Sequence, residues 1–248
     1  MSHRLNLLVL VAKTMGLWFI FCSPLSAEEA NSAQDILKNM SAEIAAMERF
    51  VIVGDGYTDE RLAAGQIIEH STDVTLRVSK PDTLRLTNRT AESNKEVFFG
   101  NGVLTVYSET AGFYAQHALP VGLDAAVEFA VNEVGIDAPV LDLISSNAAA
   151  HLTEDAESVD YLGLSLFRGR QYHHIGIRAP EIDIQLWVSS DGPPLPGKMA
   201  ISSKWEAGSP RSVFFFDWNT NPKIEPGSLG FEPPANAIEI EFDLEDAE

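Results

Sequence analysis

Apolar residues between positions 31 and 49 recur at helical spacing. Successive members are one, three, four and three residues apart: Ile36, Leu37, Met40, Ile44 and Met47. This spacing places them on one face of a helix, and Asn31 or Ser32 is a suitable residue to cap its first turn. The pattern therefore predicts an amphipathic helix over residues 31–49.

From residue 50 the pattern changes to the alternation that is typical of strands. A strand from Phe50 is expected to run into a glycine turn at Gly54–Asp55–Gly56, and further strands are predicted at 66–78, 83–88, 97–99, 103–107 and 113–117. Lys80–Pro81–Asp82 and Gly100–Asn101–Gly102 are typical hairpin turns between them. The first half of the chain is therefore predicted to be a run of antiparallel strands.

The helical period returns in the middle of the chain. Residues 123–134 form an amphipathic pattern that ends at Gly135, and Pro139 is suited to begin a second short helix through Leu141, Leu143 and Ile144. Residues 147–156 are consistent with a helix or a loop. Five further strands are predicted at 158–168, 170–178, 181–189, 198–206 and 211–218, and their short connections favour an antiparallel meander.

These elements predict an α+β fold with one large curled antiparallel sheet. A sheet of about ten or eleven strands twists and curls, so two or three helices can cover its concave face as in a half-barrel. No linker or internal repeat divides the chain, and we expect a single domain over residues 28–248 that ends in an acidic tail at 239–248.

A curled sheet under helices can enclose an apolar cavity, the usual form of a hydrophobic-ligand site. The alternative is that the same side chains simply fill the core. Candidate cavity residues are the large apolar side chains of the predicted strands: Leu84, Leu86, Phe98, Leu104, Trp187, Trp205, Phe214, Phe216 and Trp218. The covering helices contribute Leu123, Val127, Ala130, Leu141 and Ile144.

The N-terminal segment has the composition of an export signal. Residues 1–27 contain basic residues and no acid, then a short apolar run from Met15 to Cys22, then a small-residue exit. This arrangement predicts a secretory signal peptide that is cleaved after Ala27. The bulky Phe21 before Cys22 argues against lipidation of that cysteine, and a soluble exported protein without cysteine is expected.

The charge balance excludes several partners. The chain has 17 Lys and Arg against 36 Asp and Glu, a net charge of −19. A strongly acidic protein is unsuited to nucleic acid or to docking on anionic lipid through a basic patch. A local strip of Arg77, Arg85 and Arg89 is expected to point outward for solubility and cross-strand ion pairs, and receiving an anionic head group is the alternative.

Catalytic and metal-binding motifs are not found in the sequence. The histidines lack the four-residue helical spacing of a zinc site, and His173 and His174 are adjacent on a predicted strand and so face opposite ways. There is no nucleophile elbow, phosphate-binding loop or dinucleotide fingerprint. We expect no catalytic residue, metal or cofactor, and a hydrolase remains a remote alternative because triads are spatial.

Several segments resemble, in order, a family of predicted periplasmic proteins known as domain of unknown function 2092. They are ILKNMSAEIAAMERF at 36–50, GQIIEHS at 65–71, VSKPDTLRL at 78–86, FFGNGVLTVYS at 98–108, FYA at 113–115, LDAAVEFA at 123–130, APVLDLI at 138–144, WN at 218–219 and FEPP at 231–234. The order of elements is similar to the lipoprotein-carrier fold, the LolA-like half-barrel. The resemblance implies a location in the periplasm of a Gram-negative bacterium and an apolar ligand, and it supplies no catalytic residue.

Two functions follow from these expectations. The first is a monomeric periplasmic carrier that shields a lipid or an acylated peptide, with residues 119–146 as a lid that moves at Gly122 and Gly135. Stiffening these two glycines is then expected to slow ligand exchange. The second is a sensor or interaction module whose interior is self-filled and which contacts an inner- or outer-membrane protein through an edge strand or its acidic tail.

Overall fold

The computed structural model describes residues 27–136, 138–206, 208–225 and 227–242. Within these ranges, three α-helices and a π-helix accompany twelve strands. The helices are α1 (Ala27–Ala46), α2 (Leu123–Glu128), which continues into the π-helix Phe129–Glu133, and α3 (Ala148–His151). The strands are β1 (Arg49–Arg61), β2 (Ile67–Ser79), β3 (Thr83–Arg89), β4 (Asn94–Gly100), β5 (Val103–Ser108), β6 (Phe113–Ala118), β7 (Ser158–Phe167), β8 (Arg170–Arg178), β9 (Ile182–Ser189), β10 (Pro196–Ser203), β11 (Arg211–Asn219) and β12 (Ile238–Ile240).

All twelve strands form one sheet in the order β12-β6-β5-β4-β3-β2-β1-β11-β10-β9-β8-β7. Neighbouring strands are antiparallel, except that β12 pairs with β6 in parallel. Strand β1 lies at the centre because it joins the first meander, β1 to β6, to the second, β7 to β11. The predicted fold class is confirmed: the sheet is large, open and mostly antiparallel, with helices on one face.

The helical predictions were right in position and partly wrong in form. The first helix spans Ala27–Ala46 where 31–49 was predicted, so Asn31 and Ser32 lie inside it and do not cap its start. It ends before Arg49 because Arg49 already pairs in β1. The predicted helix at 123–134 changes to a π-helix at Phe129. Residues 139–144 form successive turns and not the predicted helix, with bonds from Leu141 N to Ala138 O and from Ile144 N to Leu141 O. Val140, Leu141, Leu143 and Ile144 are all buried, so the turns bring to the core the apolar residues that the helix was predicted to bring there.

Two strand predictions also need correction. No turn occurs at Gly54–Gly56; β1 continues to Arg61, and both glycines lie in the middle of the sheet. Strand β10 spans 196–203 where 198–206 was expected. The proline-rich tail contributes β12, a strand that the sequence did not predict.

The predicted signal peptide lies outside the described residues except for Ala27, where α1 begins. Within the described part of the chain, no helix combines the length and apolar composition needed to cross a membrane.

Candidate functional site

The concave face of the sheet is a continuous apolar layer built by strand register. Directly paired residues point to the same side, so Ile52, Leu76 and Leu86 form one row across β1, β2 and β3. Parallel rows extend this layer to Phe99 and Leu104 on one flank and to Met199 and Leu186 on the other. Their side chains are buried within one hydrophobic cluster, which makes this face the core of the protein.

Helix α1 covers part of this layer. It buries one stripe of side chains: Ala33, Leu37, Met40 and Ile44. Lys80, in the β2–β3 turn, donates two 2.8 Å hydrogen bonds from Nζ to the carbonyls of Ile44 and Ala45. These carbonyls lie in the last turn of α1, where the regular helical hydrogen bonds end and the Met47 N–H donates to the Ile44 carbonyl at 3.3 Å, so Lys80 fixes the helix end to the sheet.

The second cover is the predicted lid of 119–146 extended through α3, and from here on we use the name lid for residues 119–152, of which all but residue 137 are described. It presents apolar side chains to the sheet, and all five predicted lid residues are buried in the core cluster: Leu123, Val127, Ala130, Leu141 and Ile144. Phe129 stacks on His117 of β6 with ring centroids 4.4 Å apart. Because His117 is paired with the buried Leu104, its ring lies on the concave face. The lid therefore contacts the sheet through side-chain packing.

Polar contacts bind parts of the lid to one another. The Ser146 N–H donates to Asp124 Oδ1 at 2.8 Å, and His151 Nε2 lies 3.7 Å from Asp142 Oδ1. Burial lowers the pKa of Lys80 below its ordinary value, and the charge of Asp124 opposes this lowering with a smaller effect. Lys80 thus bonds the sheet to the α1 end, and the charge of Asp124 at the start of the lid acts on it.

Two clefts open at the margin of the lid. One, of about 560 Å³, reaches between α3 and the β8–β9 turn and is lined by Leu152, Ala156, Ile182 and Ile184 together with several acids. The other, of about 660 Å³, lies between α2 and α3. Both are lined by Asp142 and His151, so this pair stands between the two clefts.

Six of the nine candidate cavity residues lie on the concave face: Leu84, Leu86, Leu104, Phe214, Phe216 and Trp218. Leu86 and Leu104 have no exposed surface, and Phe214 and Phe216 are only 7% and 6% exposed. Trp218 tilts against Phe50 and donates from Nε1 to the Pro196 carbonyl at 2.8 Å. These six residues fill the interior in this arrangement, and their role in binding stays a prediction.

The other three candidates were wrongly assigned to the cavity. Phe98 and Trp187 lie on the convex face. Phe98 pairs with Thr105 and Trp187 pairs with Lys198, and the residues next to them in their strands face the core. Trp205 is 71% exposed in the β10–β11 connection because β10 ends at Ser203. Alternation within a strand separates faces correctly but does not say which face is concave, and this caused the first two errors.

The convex face carries its own cluster of aromatic rings and cations. Tyr172, Trp187 and Ala200 are buried there, and Lys198 Nζ lies 4.2 Å from the Trp187 ring centroid. His174 stacks on the Trp187 ring, with centroids 4.2 Å apart. Burial lowers the pKa of Lys198, with a further lowering from Arg211; burial also lowers the pKa of His174, against a smaller opposing effect of its hydrogen bond with Gln185.

The outward strip of arginines is arranged for contacts within the protein. Arg85 pairs with Glu96 at 2.8 Å and lies 4.9 Å from the Phe98 ring centroid. As predicted, His173 and His174 face opposite sides: His173 meets Tyr161, and His174 meets Gln185. Among the described residues, no group of three His, Cys, Asp or Glu side chains is placed to hold a metal ion.

Three aromatic residues that contribute to the site were missed in the sequence. Phe129 and His117 form the stack between lid and sheet, and Phe242 of the tail packs on both. Phe129 lies on the side opposite the predicted stripe of Leu123, Val127 and Ala130, so the regular helical pattern did not indicate it; the change to a π-helix begins at this residue. His117 and Phe242 gave no local signal, because their contact depends on the tail passing around the sheet edge.

Comparison with one solved structure supports the fold, and two further structures align with lower TM-scores. An uncharacterized conserved protein from Thermus thermophilus aligns with a TM-score of 0.53 at 8% identity, over 85% of this chain and 99% of that one. The lipoprotein LppX of Mycobacterium tuberculosis aligns with a TM-score of 0.45 at 12% identity, over 79% and 99%. A LolA superfamily protein from Nitrosomonas europaea aligns with a TM-score of 0.34 at 10% identity, over 77% and 94%.

Comparison of sequences defines the family. No protein of curated function matches the chain. A family model described as "predicted periplasmic protein (DUF2092)" matches residues 33–243, which include all the strands and the lid. The resemblance inferred from the ordered segments is thereby confirmed, and the chain belongs to the DUF2092 family of predicted periplasmic proteins.

Proposed function

We propose that this protein binds an apolar ligand, a lipid or an acylated peptide, between the lid and the concave face of its sheet. One observation carries the proposal: a twelve-stranded sheet presents a continuous apolar face, and a separate segment covers it through apolar side chains. Such a covered apolar layer is the environment that an acyl chain prefers, since each buried CH₂ gains about 0.8 kcal/mol.

Ligand entry requires the lid to move, because side chains of the protein fill the interior in this arrangement. Gly122 and Gly135 border the helical part of the lid and have positive φ angles of 129° and 69°. The lid combines a short α-helix, a π-helix and successive turns. The marginal clefts on either side of the Asp142–His151 pair are the natural places for a ligand to begin entry.

The proposed role is non-catalytic. The interior is lined chiefly by hydrocarbon and aromatic side chains, which supply no general acid, base or nucleophile. Binding and release would then constitute the whole activity in the periplasm, with no cofactor.

A fluorescent fatty acid tests this proposal. The parent protein is expected to bind the probe saturably, and phospholipid is expected to displace it. Val127→Asp places a charge in the buried contact between lid and sheet and should weaken binding at least about tenfold. Val121→Asp, the same change at a residue that is 72% exposed, should leave binding unchanged. Absence of saturable binding by the parent would refute the proposal.

A second candidate is a sensor or interaction module with a self-filled interior. The full burial of Leu86 and Leu104 favours it, as does the edge strand β7, where Leu162, Leu164 and Leu166 are 50%, 58% and 73% exposed. Exposed apolar edge strands are suited to pair with another chain. Under this alternative, Leu164→Lys would abolish cross-linking to a membrane partner, and the parent would bind no fatty acid.

A further inference from the structure

The C-terminal segment passes from one face of the sheet to the other. We call residues 222–242 the strap; all but residue 226 are described. The strap leaves β11, buries Leu229 and then crosses the convex face, where Arg85 Nη1 donates to the Ser228 carbonyl at 3.5 Å. It next forms β12 along the edge of β6 and ends with Phe242 on the concave side.

The convex anchor of the strap is an aromatic box around Phe231. The Phe231 ring lies 5.2 Å from Phe98, 5.7 Å from Tyr107 and 5.1 Å from Tyr114, measured between centroids. Such distances are those of favourable tilted ring pairs. Tyr114 also donates from its hydroxyl to Glu239 at 3.2 Å, which ties β12 to the same strand.

The concave anchor contacts the lid directly. Phe242 packs edge-on against Phe129 of the π-helix, with centroids 5.8 Å apart, and against His117, with centroids 6.4 Å apart. Phe242 therefore covers one side of the Phe129–His117 stack, through which the lid contacts β6. A single continuous segment thus joins the Phe231 box on the convex face to the lid on the concave face.

We infer that the strap is a latch for the lid: Phe242 holds Phe129 against His117, and Phe231 holds the strap. This inference rests on the proposed function for its biological purpose, because the latch would set the rate of ligand exchange. When Phe231 leaves its box, the strap loosens along the β6 edge and Phe242 separates from Phe129. A change on the convex face therefore opens the site on the concave face. Strand β12 lies between the two anchors, so release of Phe242 includes separation of β12 from β6 and leaves strands β1 to β11 unchanged.

Hydrogen exchange of the full chain, followed by mass spectrometry, tests the latch without any ligand. Phe242→Ala removes the ring contact and should speed exchange of the lid amides, residues 123–144, at least about fivefold, while the amides of β2 keep the parent rate. Phe231→Ala should speed the same lid amides. Ile238→Ala, a change in the same strap at a side chain that is 59% exposed, should leave them unchanged.

Two outcomes would overturn the inference. Parent-like lid rates in Phe242→Ala or in Phe231→Ala would show that the strap does not hold the lid. Equal acceleration of the lid and β2 would show that Phe242 merely stabilises the whole fold. Fatty-acid binding is measured separately: if the lid loosens and the parent binds no probe, the latch stands and the proposed ligand fails.

Discussion

Gly54 and Gly56 lie on the concave face of β1, directly opposite Phe216 and Phe214 of β11. A Cβ on Gly54 would approach the Phe215 carbonyl to 2.7 Å, and one on Gly56 would approach the Phe214 ring to 2.8 Å. The glycines therefore provide room for two core rings at the centre of the sheet. Their spacing in the sequence indicated a turn, because a glycine that accommodates a distant side chain has the same local appearance as a hairpin glycine.

Substitution of Gly56 tests this packing. Gly56→Val is expected to lower the free energy of unfolding by about 1–3 kcal/mol, since the Phe214 ring must shift in a packed core. Urea denaturation measures the change. Gly100→Val is the matched control, because a Cβ there meets only the Thr83 methyl at 4.0 Å. Equal effects at the two positions would contradict the proposed role of Gly56.

Lys80 is predicted to stabilise the docking of α1. Lys80→Met keeps the apolar part of the side chain and removes both hydrogen bonds to the helix end, so a loss of about 1 kcal/mol or more is expected in denaturation. Lys38→Met, at an exposed lysine of the same helix, should have little effect. A parent-like midpoint for Lys80→Met would show that these bonds contribute nothing net.

His174 is predicted to make stability depend on pH. Burial against Trp187 lowers its pKa from the ordinary value of 6.5, whereas the unfolded chain keeps that value. As the pH falls through 6.5, His174 takes up a proton in the unfolded chain before it does so in the folded chain. The contribution of neutral His174 to the free energy of unfolding is therefore present above pH 6.5 and is lost as the pH falls toward the lower pKa of the folded state. Lys198 adds to the lowering, and the hydrogen bond with Gln185 opposes it.

His174→Gln should remove this contribution. The difference in the free energy of unfolding between about pH 7.5 and about pH 5.5 is expected to be smaller in the variant than in the parent. His70→Gln, at an exposed histidine paired with Glu60, provides the comparison. An identical or larger pH dependence in His174→Gln would contradict the argument.

Among the elements of the fold, the lid departs most from regular secondary structure. Gly122 has a φ of 129° and Gly135 a φ of 69°, angles that side-chain-bearing residues rarely adopt. Replacing these glycines was expected from the sequence to stiffen the lid. Their angles indicate the opposite, because an alanine there would strain the joint and destabilise the closed lid.

Gly122→Ala is therefore expected to speed hydrogen exchange of the lid amides and to raise the release rate of a bound fatty acid. Gly100→Ala, whose glycine has no positive φ, is the control. Slower release of the fatty acid from Gly122→Ala would instead support the hypothesis that replacing this glycine stiffens the lid.

Most of the elements could be predicted because their determinants are local. The alternation from Thr83 to Arg89 and the Gly100–Gly102 turn are present in the sequence itself, and the structure has a strand and a hairpin there. The site was less predictable. Phe98 and Leu104 looked equivalent as strand residues, yet only tertiary packing decides that Leu104 faces the lid and Phe98 faces Phe231. The strap contacts of Phe242 likewise join residues that are far apart in sequence.

At the scale of the whole molecule, the two sheet edges are treated differently. The strap covers the β6 edge with β12, and Leu162, Leu164 and Leu166 leave the β7 edge exposed and apolar. The net charge of −19 favours solubility of a protein with such an edge. This asymmetry leaves β7 as the surface where the alternative partner function would act.

Native mass spectrometry of protein isolated from bacteria, combined with organic extraction of the same sample, tests the central proposal most directly. We expect a discrete extra mass that extracts as lipid or as an acylated peptide. We also expect protein stripped of this mass to regain it from phospholipid vesicles. A bare protein mass that stays bare after exposure to vesicles would contradict ligand binding and favour the interaction module.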